Sequence, residues 1–172
     1  DTSKKYWQQF ERGELSFQEQ RRLRVQAFLG KGLSDQAADK AFLPYLMSYE
    51  NAWRCFPEVT DFFALTKHIP KVIITNGDRE QQKQKISKMN LDIYVEAVIT
   101  PMDCGFWKPA LGIFQFALDR LNVKATDTAM IGDCIIRDIR PAQALGMRTF
   151  HIEPHHPDKN LISALEDLGL IA

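Results

Sequence analysis

Residues 129–147 read AMIGDCIIRDIRPAQALGM and join a short apolar run to a helical pattern. The run ends at Gly132 and Asp133, as a buried strand bounded by turn residues does. Asp138 follows at a position that suits a helix N-cap, and Gly146 suits the residue that ends the helix. The stretch therefore predicts two carboxylates where a parallel strand meets a helix, and ligands of open α/β sheets bind at that edge.

Asp133 and Asp138 have two possible interpretations at this stage. Paired oxygen ligands at such an edge suit a hard cation such as Mg²⁺. An aspartate after a glycine is also ordinary turn chemistry, and Asp138 could be only a cap. Other features of the chain are needed to choose between a metal site and a turn for these two residues.

Composition and charge exclude several function classes. The chain has 172 residues, of which 45% are hydrophobic and 26% charged, as in a folded globule with one domain or a core and a small insert. Its net charge of zero gives no electrostatic case for a nucleic acid or an anionic membrane as partner. The three scattered cysteines fit a reducing compartment. We expect a cytoplasmic protein, monomeric or homodimeric.

The first part of the chain, residues 1–66, carries helical signals and almost no strand signals. Aromatic residues recur at helical spacing near the start, a second helix runs from Phe17 to Leu29, and Ser34 can cap a third. A short helix should follow Pro57. The pattern predicts a small all-helical domain over 1–66, whose aromatic side chains form its core.

From residue 67 onward, short apolar strands alternate with helical patterns. Strands are predicted at 71–75, 95–100, 129–132 and 148–152, and helices at 79–90, from Pro109, from Asp138 and at 161–168. Such alternation indicates an α/β core with a parallel sheet between two layers of helices. Pro109 suits the first position of its helix.

Three elements of this core carry residues suited to phosphoryl chemistry. One strand ends at Thr75-Asn76-Gly77, Lys108 precedes a helix, and Asp133 and Asp138 follow the third strand. A threonine hydroxyl and free backbone amides can hold phosphate oxygens. A lysine supplies a compact positive charge, and acids can hold a metal that offsets repulsion between anions.

In order and spacing, this combination resembles the haloacid dehalogenase-like superfamily, in its phosphatase branch with a helical cap. The resemblance covers about residues 71–152 and rests on three phrases: VIITNGDREQQ (72–82), GFWKPALGIF (105–114) and AMIGDCIIRDIRPAQALGM (129–147). It implies a Rossmann-like core at 67–172 with an inserted cap at 1–66. It also implies an Mg²⁺-dependent phosphatase that hydrolyses small phosphate monoesters through an aspartyl-phosphate.

The resemblance assigns roles residue by residue. Lys108 would steady the phosphate and the nucleophile. Asp133 would bind Mg²⁺ directly, and Asp138 would bind it through water or orient Lys108. The phosphate would be held by the Thr75 hydroxyl, by backbone contacts from Asn76 and Gly77, and by Lys108. A small phosphorylated metabolite is thus the expected partner, with its identity decided by the cap.

The family's nucleophile has no match in this sequence. The family pattern is an apolar strand followed by Asp-any-Asp-any-Thr, whose first aspartate attacks phosphorus and whose second is general acid and base. Asp1-Thr2 does not match, because no apolar run precedes it and no second acid is correctly spaced. We expect that these 172 residues are part of a longer protein. A preceding segment would supply a strand between the strands that end at Thr75 and Asp133.

Two alternatives belong to other function classes. A non-catalytic relative that binds a phosphorylated ligand or a protein partner would keep this fold and lack the nucleophile. A receiver-like or flavodoxin-like binding domain fits the alternating core. It does not account for Lys108 together with Asp133 and Asp138.

Overall fold

The computed structural model describes residues 2–30 and 32–171. Its helices and strands follow in chain order: α1 (Thr2–Glu11), α2 (Phe17–Leu29), α3 (Asp35–Asn51), α4 (Val59–Leu65), β1 (Val72–Ile74), α5 (Arg79–Lys88), β2 (Ala97–Ile99), α6 (Pro101–Cys104), α7 (Leu111–Leu121), β3 (Ala129–Gly132), α8 (Arg140–Ala144), β4 (Arg148–His151) and α9 (Leu161–Asp167). The chain forms two compact units, Asp1–Arg54 and Cys55–Ala172. Of the helices in this part of the chain, none has the length and apolar character that crossing a membrane requires.

The first unit contains α1, α2 and α3, as the helical periodicity predicts. The N-terminus of α2 is fixed by a capping box, in which the Ser16 hydroxyl accepts the Glu19 amide (3.1 Å) and the Glu19 carboxylate accepts the Ser16 amide (2.7 Å). The rings of Trp7, Phe10 and Phe17 pack together with centroids 5.5–6.5 Å apart. The aromatic residues of this unit therefore contribute to packing between helices.

The second unit begins before the first strand and includes α4, which packs against α9. Sequence periodicity grouped this helix with the helical segment 1–66, whereas its contacts join it to the unit that holds the strands. Asp1, which the sequence excluded as the nucleophile, lies outside the described residues. The assignment of residues 1–66 to a cap stays a prediction.

Four parallel strands form at the predicted positions, in two separate pairs. β1 pairs with β2, from Val72 opposite Ala97, and β3 pairs with β4, from Ala129 opposite Arg148. Within residues 2–30 and 32–171, no strand joins β1 to β3, so each of these two strands has one unpaired edge. The side chains of β1 are only half-buried, as are most of those of β3. In a parallel α/β protein, such strands are normally covered on both faces.

The core of the second unit is built around α7. Its buried side chains Ile113, Phe114, Ala117 and Leu118 pack with Ile99 and with residues of α8 and the turn after it. This packing fixes the carboxyl ends of the strands relative to the loops that follow them.

Two local predictions are wrong. Pro109 does not start a helix, because α7 begins at Leu111 with Ala110 as its N-cap, and Pro109 lies in the preceding turn. Asp138 is not an N-cap, because a π-helical turn already spans Ile135–Ile139 and continues directly into α8. Pi-helical turns inside helices are uncommon and occur often at functional sites.

Candidate active site

The site is centred on an ion pair between Lys108 and Asp138. The Lys108 ammonium lies 2.6 Å from Asp138 Oδ1, and the two side chains are only 14% and 4% exposed. A charged pair with so little solvent is held closely, because either charge alone would be costly in this environment. The pair joins the loop before α7 to the turn after β3.

The π-helical turn sets the position of Asp138. The Asp138 amide donates to the Cys134 carbonyl (2.8 Å), and Asp138 Oδ2 accepts the Cys134 amide (3.1 Å). Both carboxylate oxygens therefore already have a donor. Gly132 makes this possible, since a Cβ there would lie 2.5 Å from Asp138 Cβ. The carboxylate thus turns back toward the end of β3.

Asn76 connects the loop after β1 with the same ion pair. Its Oδ1 accepts the Lys108 amide at 2.7 Å, and its Nδ2 donates to the Lys108 carbonyl at 2.9 Å. The Asn76 residue is 8% exposed. The ends of β1 and β3 are therefore linked by one continuous chain of hydrogen bonds through Lys108.

Thr75 and Gly77 form the outer part of the loop after β1. The Gly77 amide donates to Thr75 Oγ1 (3.1 Å), and the Thr75 amide donates to the Ile99 carbonyl on β2 (3.0 Å). The Thr75 hydroxyl proton has no acceptor among the described residues and can be donated to a ligand. The Gln82 side chain packs closely over Gly77. A Cβ added to Gly77 would lie 2.4 Å from Gln82 Nε2.

Asp133 is the exposed acid of the site. Its carboxylate makes no hydrogen bond or ion pair with any described residue, and its carbonyl lies 3.2 Å from His151 Nε2 at the end of β4. At the next residue in the chain, a hydrogen bond with Arg137 lowers the pKa of the Cys134 thiol. Asp133 is therefore the carboxylate of this loop that is available to a ligand.

The neighbouring acids Asp78 and Asp103 have structural roles. Asp78 caps α5 by accepting the Gln81 amide (3.0 Å). One oxygen of Asp103 accepts both the amide and the hydroxyl of Thr100, and the other lies 2.6 Å from the Arg79 guanidinium. Burial opposes ionisation of Asp103, but the bonds from Thr100 and the charge of Arg79 outweigh it and lower its pKa. These contacts tie α5 to α6.

The family model described as haloacid dehalogenase-like hydrolase matches residues 1–146. The chain belongs to this family. Its match to curated relatives is shorter. It is 36% identical over 80 residues to the glyceraldehyde 3-phosphate phosphatase of Methanocaldococcus jannaschii, which covers 46% of this chain and 35% of that protein. It is 32% identical over 84 residues to human N-acylneuraminate-9-phosphatase, covering 49% and 34%. The match thus spans about a third of these relatives.

Solved structures share the fold of this haloacid dehalogenase-like chain over nearly all its length. The magnesium-bound crystal structure of YfnB from Bacillus subtilis superposes with a TM-score of 0.78 at 21% identity, covering 98% of this chain and 79% of that one. The 2-haloacid dehalogenase of Pseudomonas syringae superposes with a TM-score of 0.72 at 24% identity, covering 99% and 81%. The Rossmann-like α/β fold predicted from the sequence is confirmed.

The acids of this haloacid dehalogenase-like chain fit a metal ion only in part. Asp133 offers an unpaired oxygen ligand of the kind that Mg²⁺ prefers. Both oxygens of Asp138 are already bonded to Lys108 and Cys134. In the part of the chain that the structure describes, no three His, Cys, Asp or Glu side chains are placed to share one ion. Further ligands would have to come from water, from a bound anion or from residues beyond this set.

The structure brings together most of the residues that the sequence singled out. Lys108 contacts Asp138 and Asn76, while Thr75 adjoins Asn76 in the chain. Sequence reasoning did not find the side-chain role of Asn76 or the bond from the Cys134 amide. A pattern of residue types does not show which backbone group a side chain will bond to. Neither contact could therefore be predicted from the sequence.

Proposed function

We propose that this chain supplies the phosphate-binding and metal-binding loops of an Mg²⁺-dependent phosphatase that hydrolyses small phosphate monoesters. The part-buried Lys108–Asp138 ion pair carries the proposal, because it fixes an ammonium beside the turn after β3, on a residue whose backbone Asn76 holds from the loop after β1. Of the three protons of the Lys108 ammonium, one is donated to Asp138, and no other described residue accepts a hydrogen bond from this ammonium. Two donors remain for a phosphate oxygen and for an anionic nucleophile.

The chain's own residues would bind and orient the phosphoryl group. The Thr75 hydroxyl donates to one phosphate oxygen, and other backbone amides of the loop between Thr75 and α5 hold the rest, since the Gly77 amide already donates to Thr75 Oγ1. Lys108 stabilises the charge that builds up on the phosphoryl oxygens as the ester bond breaks. Because Lys108 is held at its backbone by Asn76 and at its ammonium by Asp138, little reorganisation is needed in the transition state.

A nucleophilic aspartate would come from a segment upstream of residue 1. That segment would pair with the free edges of β1 and β3 and place its carboxylate beside Lys108. One carboxylate oxygen bonds to phosphorus as the P–O ester bond breaks, and the leaving oxygen takes a proton from a second acid of that segment. The same acid then takes a proton from the water that attacks the aspartyl-phosphate and releases phosphate. Supporting this, each of the two strands has one edge without a partner in the described residues.

Mg²⁺ would be held by Asp133, with Asp138 taking part through water. When bound, the ion neutralises charge between the phosphate and the nucleophile. Support comes from the unpaired Asp133 carboxylate and from the magnesium in the YfnB structure. In this proposal, Asp138 acts mainly by orienting Lys108.

The substrate class is a small sugar phosphate or a similar metabolite. Two of the matched relatives are named for glyceraldehyde 3-phosphate and N-acylneuraminate 9-phosphate, both small phosphate esters. Residues 1–66 would act as the cap that selects among such esters. A cytoplasmic location and a monomeric or homodimeric state remain predictions.

A phosphate-release screen on the complete protein, with and without Mg²⁺, tests the proposal. We expect Asp133→Asn to raise the Mg²⁺ concentration for half-maximal rate by about tenfold or more, because a charged oxygen ligand becomes neutral. The control Asp158→Asn changes an exposed aspartate in the loop before α9 and should leave the rate unchanged. A complete protein that binds phosphate esters but releases no phosphate from any of them would favour a non-catalytic binding role.

A further inference from the structure

Both polar atoms of the Asn76 side chain already have a hydrogen-bond partner within the protein. Its carboxamide faces the peptide unit of Lys108 and makes two hydrogen bonds, 2.7 Å from the Lys108 amide and 2.9 Å to the Lys108 carbonyl. With the residue 8% exposed, the second N–H of Nδ2 and the second lone pair of Oδ1 have little access to a ligand. Asn76 therefore serves a different purpose from Thr75, its neighbour in the same loop.

We propose that the Asn76 carboxamide is a positioning residue that acts on the substrate only through Lys108. This inference rests on the proposed function, in which Lys108 stabilises the transferred phosphoryl group. Asn76 holds the Lys108 backbone by two hydrogen bonds at once. The donor and the acceptor of its planar carboxamide bond to the carbonyl and the amide of Lys108. A movement of the phosphate-binding loop after β1 is thereby passed on to the lysine.

The need for such a device follows from the lysine side chain. Its four rotatable bonds give the ammonium a wide range of positions, and ordering them costs side-chain entropy. Asp138 holds the ammonium at 2.6 Å, but that contact alone would let the ammonium follow the carboxylate. With the backbone held by Asn76, the ammonium is constrained at both ends of the side chain.

A double-mutant cycle on the complete protein separates positioning from direct contact. With p-nitrophenyl phosphate as the probe, Asn76→Asp should lower kcat at least about tenfold, because its second oxygen repels the Lys108 carbonyl and displaces the lysine. The same change made in a Lys108→Ala background should alter kcat less than about twofold, since the residue it acts through is gone. Losses that multiply would overturn the proposal. Asn76→Ser, which removes both bonds without adding charge, replaces Asn76→Asp if that variant does not fold.

A second readout does not depend on hydrolysis. Reductive methylation of the lysines, followed by mass spectrometry, measures the labelling of Lys108 relative to the 59% exposed Lys83. We expect this ratio to rise about threefold or more in Asn76→Ser, because the lysine is no longer held. The control Asn160→Ala removes an asparagine that caps α9 and should leave the ratio unchanged. An unchanged ratio in Asn76→Ser would refute the positioning role.

The two experiments also separate this inference from the proposed function. If Lys108→Ala has the kcat of the unmodified protein, the phosphatase proposal fails, and the part of this inference that concerns catalysis fails with it. If Lys108→Ala is impaired but Asn76→Asp is not, the phosphatase proposal stands and the positioning role is wrong.

Discussion

Replacing Gly132 with alanine would place a methyl group against the carboxylate that holds Lys108. The new Cβ would lie 2.5 Å from Asp138 Cβ and 2.8 Å from Asp138 Oδ2. Since carbon atoms prefer contacts of about 3.5–4.0 Å, Asp138 has to move by roughly 1 Å. Such a movement away from Lys108 would stretch the present 2.6 Å contact beyond hydrogen-bonding distance. Overpacking of this kind costs about 1–3 kcal/mol, and a misplacement of about 1 Å in a catalytic group costs about a hundredfold in rate.

Two measurements on the complete protein check this prediction. Thermal unfolding should give a Tm lower by several degrees, and the rate of phosphate release should fall about a hundredfold. Gly32→Ala is the matched control, because nothing lies within 4 Å of the Cβ added there, and its stability should change by less than about 0.5 kcal/mol. A Gly132→Ala protein with unchanged Tm and rate would refute the view that Asp138 depends on a close approach to β3.

Three further predictions concern charge and capping. Asp138→Asn should lower the free energy of unfolding by about 2–3 kcal/mol, measured in urea, because the buried Lys108 charge loses its counter-charge while keeping a hydrogen-bond acceptor. Because the pKa of Asp103 is lowered, its contribution to stability is present above the ordinary value of 3.8 and is lost as the pH falls from there through the lowered pKa. The urea midpoint should therefore drop more steeply below about pH 4 than it does in Asp103→Asn. Ser16→Ala should reduce stability by about 1 kcal/mol through loss of the α2 cap, and a smaller effect in Ser48→Ala, a change at an exposed position, provides the comparison.

The elements of the second unit could be predicted because local patterns determine them. The run 129–132 forms β3 as expected, and Gly146 adopts the left-handed conformation (φ +86°). These features depend on backbone chemistry within a few residues. Periodicity and turn residues are sufficient to find them.

The predictions that failed depend on contacts between distant residues. Asp138 has good N-cap chemistry, but its carboxylate is used by Lys108, thirty residues earlier, and by an amide that precedes it. Pro109 could have started a helix, yet Asn76 holds the adjacent Lys108 peptide in the turn before α7. Tertiary hydrogen bonds overrode local preference at both positions. Both failed predictions therefore concern local helix geometry at positions where hydrogen bonds within the site fix the chain.

The free edges of β1 and β3 have a consequence for handling the protein. Unpaired backbone amides and carbonyls beside half-buried apolar side chains can add strands from any chain that offers them. Residues 1–172 produced alone should therefore self-associate as their concentration rises. A synthetic peptide of alternating valine and threonine that pairs with these edges should suppress light scattering from the chain.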